Sequence, residues 1–132
     1  MATKVLDSYA VLAFLEDEPG ADLVRELILK AEENDLKLLI SVVNLGEVWY
    51  TLARTNSAEK ADQVIREIEG LAIEIVDVEW PLTRQAAAFK AKGKIAYADC
   101  FAAALAKSRK AELITGDKEF EILDGEIKVE WI

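Results

Sequence analysis

Short apolar runs alternate with longer stretches whose apolar positions recur at helical spacing along the whole chain. Val5-Leu6 reads as a buried strand and Tyr9 to Leu15 as a helix apolar on most sides, with Ser8 as its cap. Glu16 to Gly20 is a loop by its breakers. Leu23, Val24, Leu27, Ile28 and Ala31 mark one face of a helix from Ala21 to about Asn34. Lys37 to Ile40 predicts a second strand. A third helix runs from about Val43 to Arg54, with Leu45, Val48, Trp49 and Leu52 as its apolar stripe and Glu47 near the stripe's edge. Thr55-Asn56-Ser57 breaks the pattern and caps a fourth helix, buried through Val64, Ile65 and Ile68 and stopped by Gly70. Leu71 to Val76 is a third strand. Trp80-Pro81 opens a helix running towards Gly93, and another begins near Tyr97 with Asp99, Ala102, Ala103 and Ala106 on one face. Leu113 to Thr115 and Ile127 to Ile132 read as the fourth and fifth strands.

Strands alternating with helices predict an α/β three-layer sandwich with a mainly parallel central sheet. The 132 residues fit one domain, 1–132, without linker or repeat. Ligands of such sheets bind beyond the carboxyl ends of the strands. Four acids are expected to converge there. Asp7 follows the first strand and Asp117 the fourth. Glu47 lies one to two turns into the helix after the second strand, and Asp99 in the first turn of the helix near Tyr97. Two unit charges about 4 Å apart interact by roughly 4 kcal/mol at an effective dielectric near 20, so clustered acids call for a cation. A divalent-metal cage is the reading this favours. Each acid also has a plainer role open to it: Asp7 and Asp99 as helix or strand-end caps, Glu47 as a solvated helix residue, Asp117 as part of a Gly-Asp turn.

Composition narrows the chemistry. With 0 histidines, Ser-His and Cys-His nucleophile pairs and imidazole-bound zinc are excluded. The 1 cysteine, Cys100, cannot form an internal disulfide, so a reducing, cytoplasmic setting is expected and the thiol reads as a small core group. No run approaches the roughly 18 apolar residues of a membrane span. The net charge of -9 argues against a broad basic face. RNA would be gripped weakly, helped by metal ions that reverse the local field, or a basic protein partner exists.

Four blocks now acquire a common meaning. Leu6-Asp7-Ser8-Tyr9-Ala10-Val11-Leu12-Ala13-Phe14-Leu15 with Glu18-Pro19-Gly20, then Asn44-Leu45-Gly46-Glu47-Val48-Trp49-Tyr50, then Ala98-Asp99-Cys100-Phe101-Ala102-Ala103-Ala104-Leu105-Ala106, then Thr115-Gly116-Asp117-Lys118-Glu119-Phe120 resemble, in order and rough spacing, the PIN-domain ribonucleases. The likeness is greatest to the VapC-type toxins of toxin–antitoxin pairs. It implies Mg²⁺ or Mn²⁺ bound by Asp7, Glu47, Asp99 and Asp117, metal-dependent endonucleolytic cleavage of RNA leaving a 5′-phosphate and a 3′-hydroxyl, a cognate antitoxin and a homodimer. Ser8 and Thr115 would lie beside the site as hydrogen-bonding support, with helix or strand capping equally open to them. Ala96 stands where many members carry serine, and Cys100 where alanine is common.

Arg84, Lys90, Lys92 and Lys94 are the basic candidates for an RNA backbone near Asp99, and otherwise solvated charges. Trp49, Tyr50 and Trp80 read as core or oligomer-interface aromatics rather than base-stacking platforms. Two other functions remain open: a catalytically silent PIN-like scaffold that binds protein, and, last, a phospho-receiver domain. The receiver reading suffers because Ser8 rather than a second acid follows Asp7, and because the third strand leads to Asp77 without the later lysine context.

Overall fold

The computed structural model describes residues 1–132. Five strands, β1 (Ala2–Leu6), β2 (Leu36–Ser41), β3 (Glu74–Val76), β4 (Glu112–Thr115) and β5 (Lys128–Trp131), form one sheet in the order β3-β2-β1-β4-β5. Every pairing is parallel. The expected mainly parallel sheet is thus parallel throughout. Such a sheet must be covered on both faces, because each crossover lays a helix against it. Helices α1 (Ser8–Leu15), α2 (Ala21–Glu32), α3 (Val42–Thr55) and α4 (Ala58–Glu69) contribute to one apolar layer, and α5 (Trp80–Ala91) and α6 (Tyr97–Ser108) to the other.

Alternation along the central strands decides which side chains meet which layer. Leu6, Ile40 and Ile114 lie side by side in register and face the layer of α1 to α4. Val5, Leu39 and Leu113 face the layer of α5 and α6. One residue past the first row come Asp7, Ser41 and Thr115, which the two-residue period turns back to the α6 side. All three are buried. The direction of winding reverses at β1, between β2 and β4, which is where a parallel sheet opens a crevice at its carboxyl edge.

Local signals explain most boundaries. Asp7, Ser41 and Ser57 each accept a hydrogen bond from the backbone N–H three residues on, starting α1, α3 and α4. Pro81 occupies the first turn of α5, where its missing donor does no harm. The expected strand Leu71 to Val76 shrinks to Glu74–Val76, because the Leu71 N–H still bonds Ile68 O in the turn that leaves α4. Between β4 and β5 lies a 3-10 helix, Lys118–Leu123, which the sequence pattern did not suggest. Phe120 and Leu123 anchor it in the α5–α6 layer.

The aromatic side chains offered as core or interface are not core. Trp49 keeps 36% of its surface, Tyr50 43% and Trp80 69%. Trp49 stands at the edge of the α3 stripe, where its indole N–H donates to Asp62 Oδ1 at 2.8 Å. The Arg54 guanidinium lies 4.9 Å from the Tyr50 ring centroid, and Trp80 is the first residue of α5. Cys100 does sit in the core, and burial pushes its thiol up to about 11, which leaves it inert.

Candidate functional site

The row Asp7, Ser41, Thr115 is the floor of an acidic crevice. Asp7 Oδ1 accepts the Ala10 N–H at 2.9 Å, and Oδ2 accepts the Thr115 hydroxyl across the β1–β4 pair. Asp7 is therefore the cap of α1 and a member of the crevice at once. Thr115 Oγ1 also receives the Asp117 N–H at 3.0 Å, which turns the chain so that Asp117 stands at the rim.

Ser41 and Asn44 build the opposite wall. The Ser41 hydroxyl caps α3 and donates to Asn44 Oδ1 at 2.9 Å. The Asn44 amide then donates to Glu47 Oε1 at 3.0 Å and to Ala98 O at 3.1 Å. Ser8 Oγ donates to the same Glu47 oxygen at 3.0 Å. Glu47 is thus tied to α1 through Ser8, and α3 is tied to the start of α6 through Asn44. Asn44 is wholly buried and was not singled out by its sequence context, since a polar residue three positions after a cap is ordinary.

Asp99 differs from both. It does not cap α6, whose N-cap is Ala96 without a side-chain bond. It is 94% buried, yet no protein donor reaches its carboxylate. Burial pushes it up to about 8, and the charges of Asp117, Glu47, Asp7 and Glu119 push the same way. Burial likewise raises Asp7 to about 7, against the lowering pull of its two hydrogen bonds. Carboxylate oxygens of Asp99, Asp117 and Glu119 lie within 4.8 Å of one another. Glu119 is an addition to the sequence reading. Only the 3-10 helix, begun by the Asp117 cap on the Glu119 N–H at 2.9 Å, brings it to face α6. Its Oε1 also accepts the exposed Ala96 N–H at 3.3 Å.

A set of hard carboxylate oxygens, those of Asp99 without a protein donor, suits a hard divalent cation rather than a softer ion. The chain has no imidazole to offer, and its one thiol is locked in the core. The basic candidates are less convergent. Lys92 is paired with Glu126, and Lys90 Nζ donates to Ile95 O at 2.6 Å. Lys94 is exposed on the loop before α6. Arg84 is exposed in the N-terminal half of α5, the half that packs beside the end of α6 remote from Asp99. No helix is long and apolar enough to cross a membrane.

An all-parallel α/β sheet with an acid cluster at its carboxyl edge defines the class. The PIN-domain family model matches residues 4–126, and the chain belongs to that family. No curated protein matches it by sequence comparison. Among solved structures, it is similar to a chain of VapBC2 from Rickettsia felis bound to a promoter DNA fragment, at 20% identity and TM-score 0.78, covering 98% of each chain. DNA-bound VapBC from Salmonella typhimurium gives 19% identity and TM-score 0.77, again over 98% of each. The sarcin-ricin-loop-cleaving toxin VapC20 of Mycobacterium tuberculosis gives 16% and 0.67, over 93% of this chain and 95% of that one. At such identities these likenesses speak for the fold.

Proposed function

We propose that residues 1–132 form one PIN nuclease unit, a Mg²⁺- or Mn²⁺-dependent endoribonuclease that serves as the toxin half of a toxin–antitoxin pair. The observation that carries this reading is Asp99, a nine-tenths buried residue whose carboxylate has no protein donor and opens beside Asp117 and Glu119. Without metal the group is relieved by keeping its proton, and a cation seated among the three acids would stabilise its ionised form. Asp7, Glu47, Asp99 and Asp117 would hold the ion, with Glu119 beside them. Bound there, the ion supplies an activated water and neutralises charge developing on the phosphate.

The chain's own groups fix the donors before anything binds. Thr115 and the Ala10 N–H hold Asp7, while Ser8 and Asn44 hold Glu47, so neither carboxylate must be reoriented. Without histidine there is no imidazole to pass protons between a 2′-hydroxyl and the leaving oxygen. A hydrolysis giving 5′-phosphate ends is the route this donor set favours.

The antitoxin reading draws on the toxin–antitoxin complexes that share the fold. A net charge of -9 suits a basic partner segment reaching into the crevice. The exposed Val42, Trp49 and Tyr50 on α3 offer a face for a homodimer, which size-exclusion chromatography would detect. The activity is tested by incubating the protein with RNA in Mg²⁺ or Mn²⁺ and then in chelator. Cleavage is expected only with metal, and cleavage that survives chelation or Asp99→Asn would overturn the reading.

A further inference from the structure

Tyr9 is the second residue of α1, between Ser8, which holds Glu47, and Ala10, whose N–H holds Asp7. Its neighbours Ala10, Val11 and Ala13 are buried, yet Tyr9 leaves 45% of its surface in solvent. One side of the ring rests on Gly116, where a larger residue would push it aside. A Cβ added there would stand 2.6 Å from Tyr9 Cζ and 2.9 Å from the hydroxyl oxygen, closer than real Cβ atoms come. Gly116 has no positive φ, so clearance for this ring is the structural need it meets. The ring lies over the turn that joins Thr115 to Asp117. It stands at the edge of the acid crevice with its remaining surface open.

A nucleic acid at this crevice meets a protein of net charge -9. Two of the nearby lysines are engaged, Lys92 by Glu126 and Lys90 by Ile95 O. Lys94 and Lys118 stay exposed, so phosphate contacts rest on few free cations. Stacking of a base on an aromatic ring needs no protein charge, and every base has a face to offer. We infer that Tyr9 is the stacking platform for an unpaired base next to the phosphate at the acids. This rests on the nuclease reading above and adds the side chain that would seat the substrate. A base kept in a duplex has both faces covered by its neighbours and cannot use the ring.

The test is fluorescence anisotropy of a fluorescein-labelled single-stranded oligoribonucleotide titrated with the protein in Ca²⁺, alongside cleavage kinetics in Mn²⁺. Tyr9→Leu is expected to weaken binding on the order of tenfold, and Tyr9→Phe by no more than about twofold, because the ring face is retained. Gly116→Ala, which displaces the ring without removing it, is expected to weaken binding in the same direction as Tyr9→Leu. Annealing the complementary strand should erase the difference between wild type and Tyr9→Leu. Binding by Tyr9→Leu equal to wild type would overturn the inference, even if wild type cleaves RNA. Ring-dependent binding by a protein that never cleaves would instead sink the nuclease reading and leave the platform standing. Absence of RNA binding by wild type would overturn both.

Discussion

Two groups of acids lie along the β1–β4 side of the sheet, one across its strands and one beyond their carboxyl ends, and only the first is neutralised. On the lower half of the sheet, Lys4 of β1 reaches Glu112 of β4 at 2.7 Å and Glu130 of β5 at 3.0 Å. Burial would lower the Lys4 pKa, but the hydrogen bonds of the two glutamates outweigh it and leave it raised. Three residues further along β1, Asp7 begins a crevice that also draws in Glu47, Asp99, Asp117 and Glu119, with no cation paired to any of them. The chain thus places lysine between acids where stability asks for it. At the rim, groups that repel one another are held by hydroxyls and amides instead. The contrast marks the rim as a place arranged to receive positive charge rather than to supply it.

The sharpest way to break the comparison is to neutralise one rim acid. Asp99→Asn is expected to lower RNA cleavage by roughly 10²–10³-fold, the scale seen when a group supporting transition-state charge is removed. In chelator the same variant should melt at or above the wild-type temperature, because it relieves repulsion and breaks no hydrogen bond. A large drop in melting temperature would mean that Asp99 serves the fold. Adding the missing charge is the next test. Mn²⁺ at a hundredfold its dissociation constant should stabilise the folded state by about 2.7 kcal/mol, read as a higher melting temperature that Asp99→Asn largely abolishes.

The third prediction uses pH. Folded Asp7 and Asp99 keep their protons to about pH 7 and 8, whereas unfolded carboxyls titrate near 3.8. Between those limits the folded state binds more protons than the unfolded one. Stability of the metal-free protein is therefore greatest at the acid end and falls as pH rises through the window. Melting curves from pH 5 upward should show that decline, and saturating Mn²⁺ or Asp99→Asn should flatten it. An unchanged slope in both would detach the raised acids from the site. The smallest effect concerns the neutralised group. Lys4→Met strands Glu112 and Glu130, both partly solvated, and should cost about 1 kcal/mol in a denaturant titration while leaving cleavage intact.

How much of this the sequence disclosed follows from what each feature depends on. The parallel sheet was legible because apolar runs and helical spacing are local signals. So were Asp7, Glu47, Asp99 and Asp117, since acids interrupting apolar stretches stand out. The first helix is capped by Asp7 rather than by the expected Ser8, and the fold uses Asp7 twice, one oxygen for the cap and one for Thr115. Glu119 stayed hidden because its direction depends on a 3-10 helix whose buried anchors, Phe120 and Leu123, carry no period of their own. Asn44 stayed hidden because its partners Glu47 and Ala98 come from its own helix and from a segment 54 residues away. Trp49 was misjudged in part because stripe-edge residues are settled by the neighbouring helix, here through Asp62 of α4. Tyr9 drew no attention within an apolar stretch, because its contact with Gly116 joins positions far apart in the chain.

The hydroxyl of Thr115 reaches a carboxylate 108 positions earlier in the chain. During synthesis, then, the first acids emerge long before the wall that completes their crevice. A product that stops short of β4 is missing an essential side of the pocket. The order of the strands thus makes the crevice a late feature of folding: it closes only once β4 has joined β1.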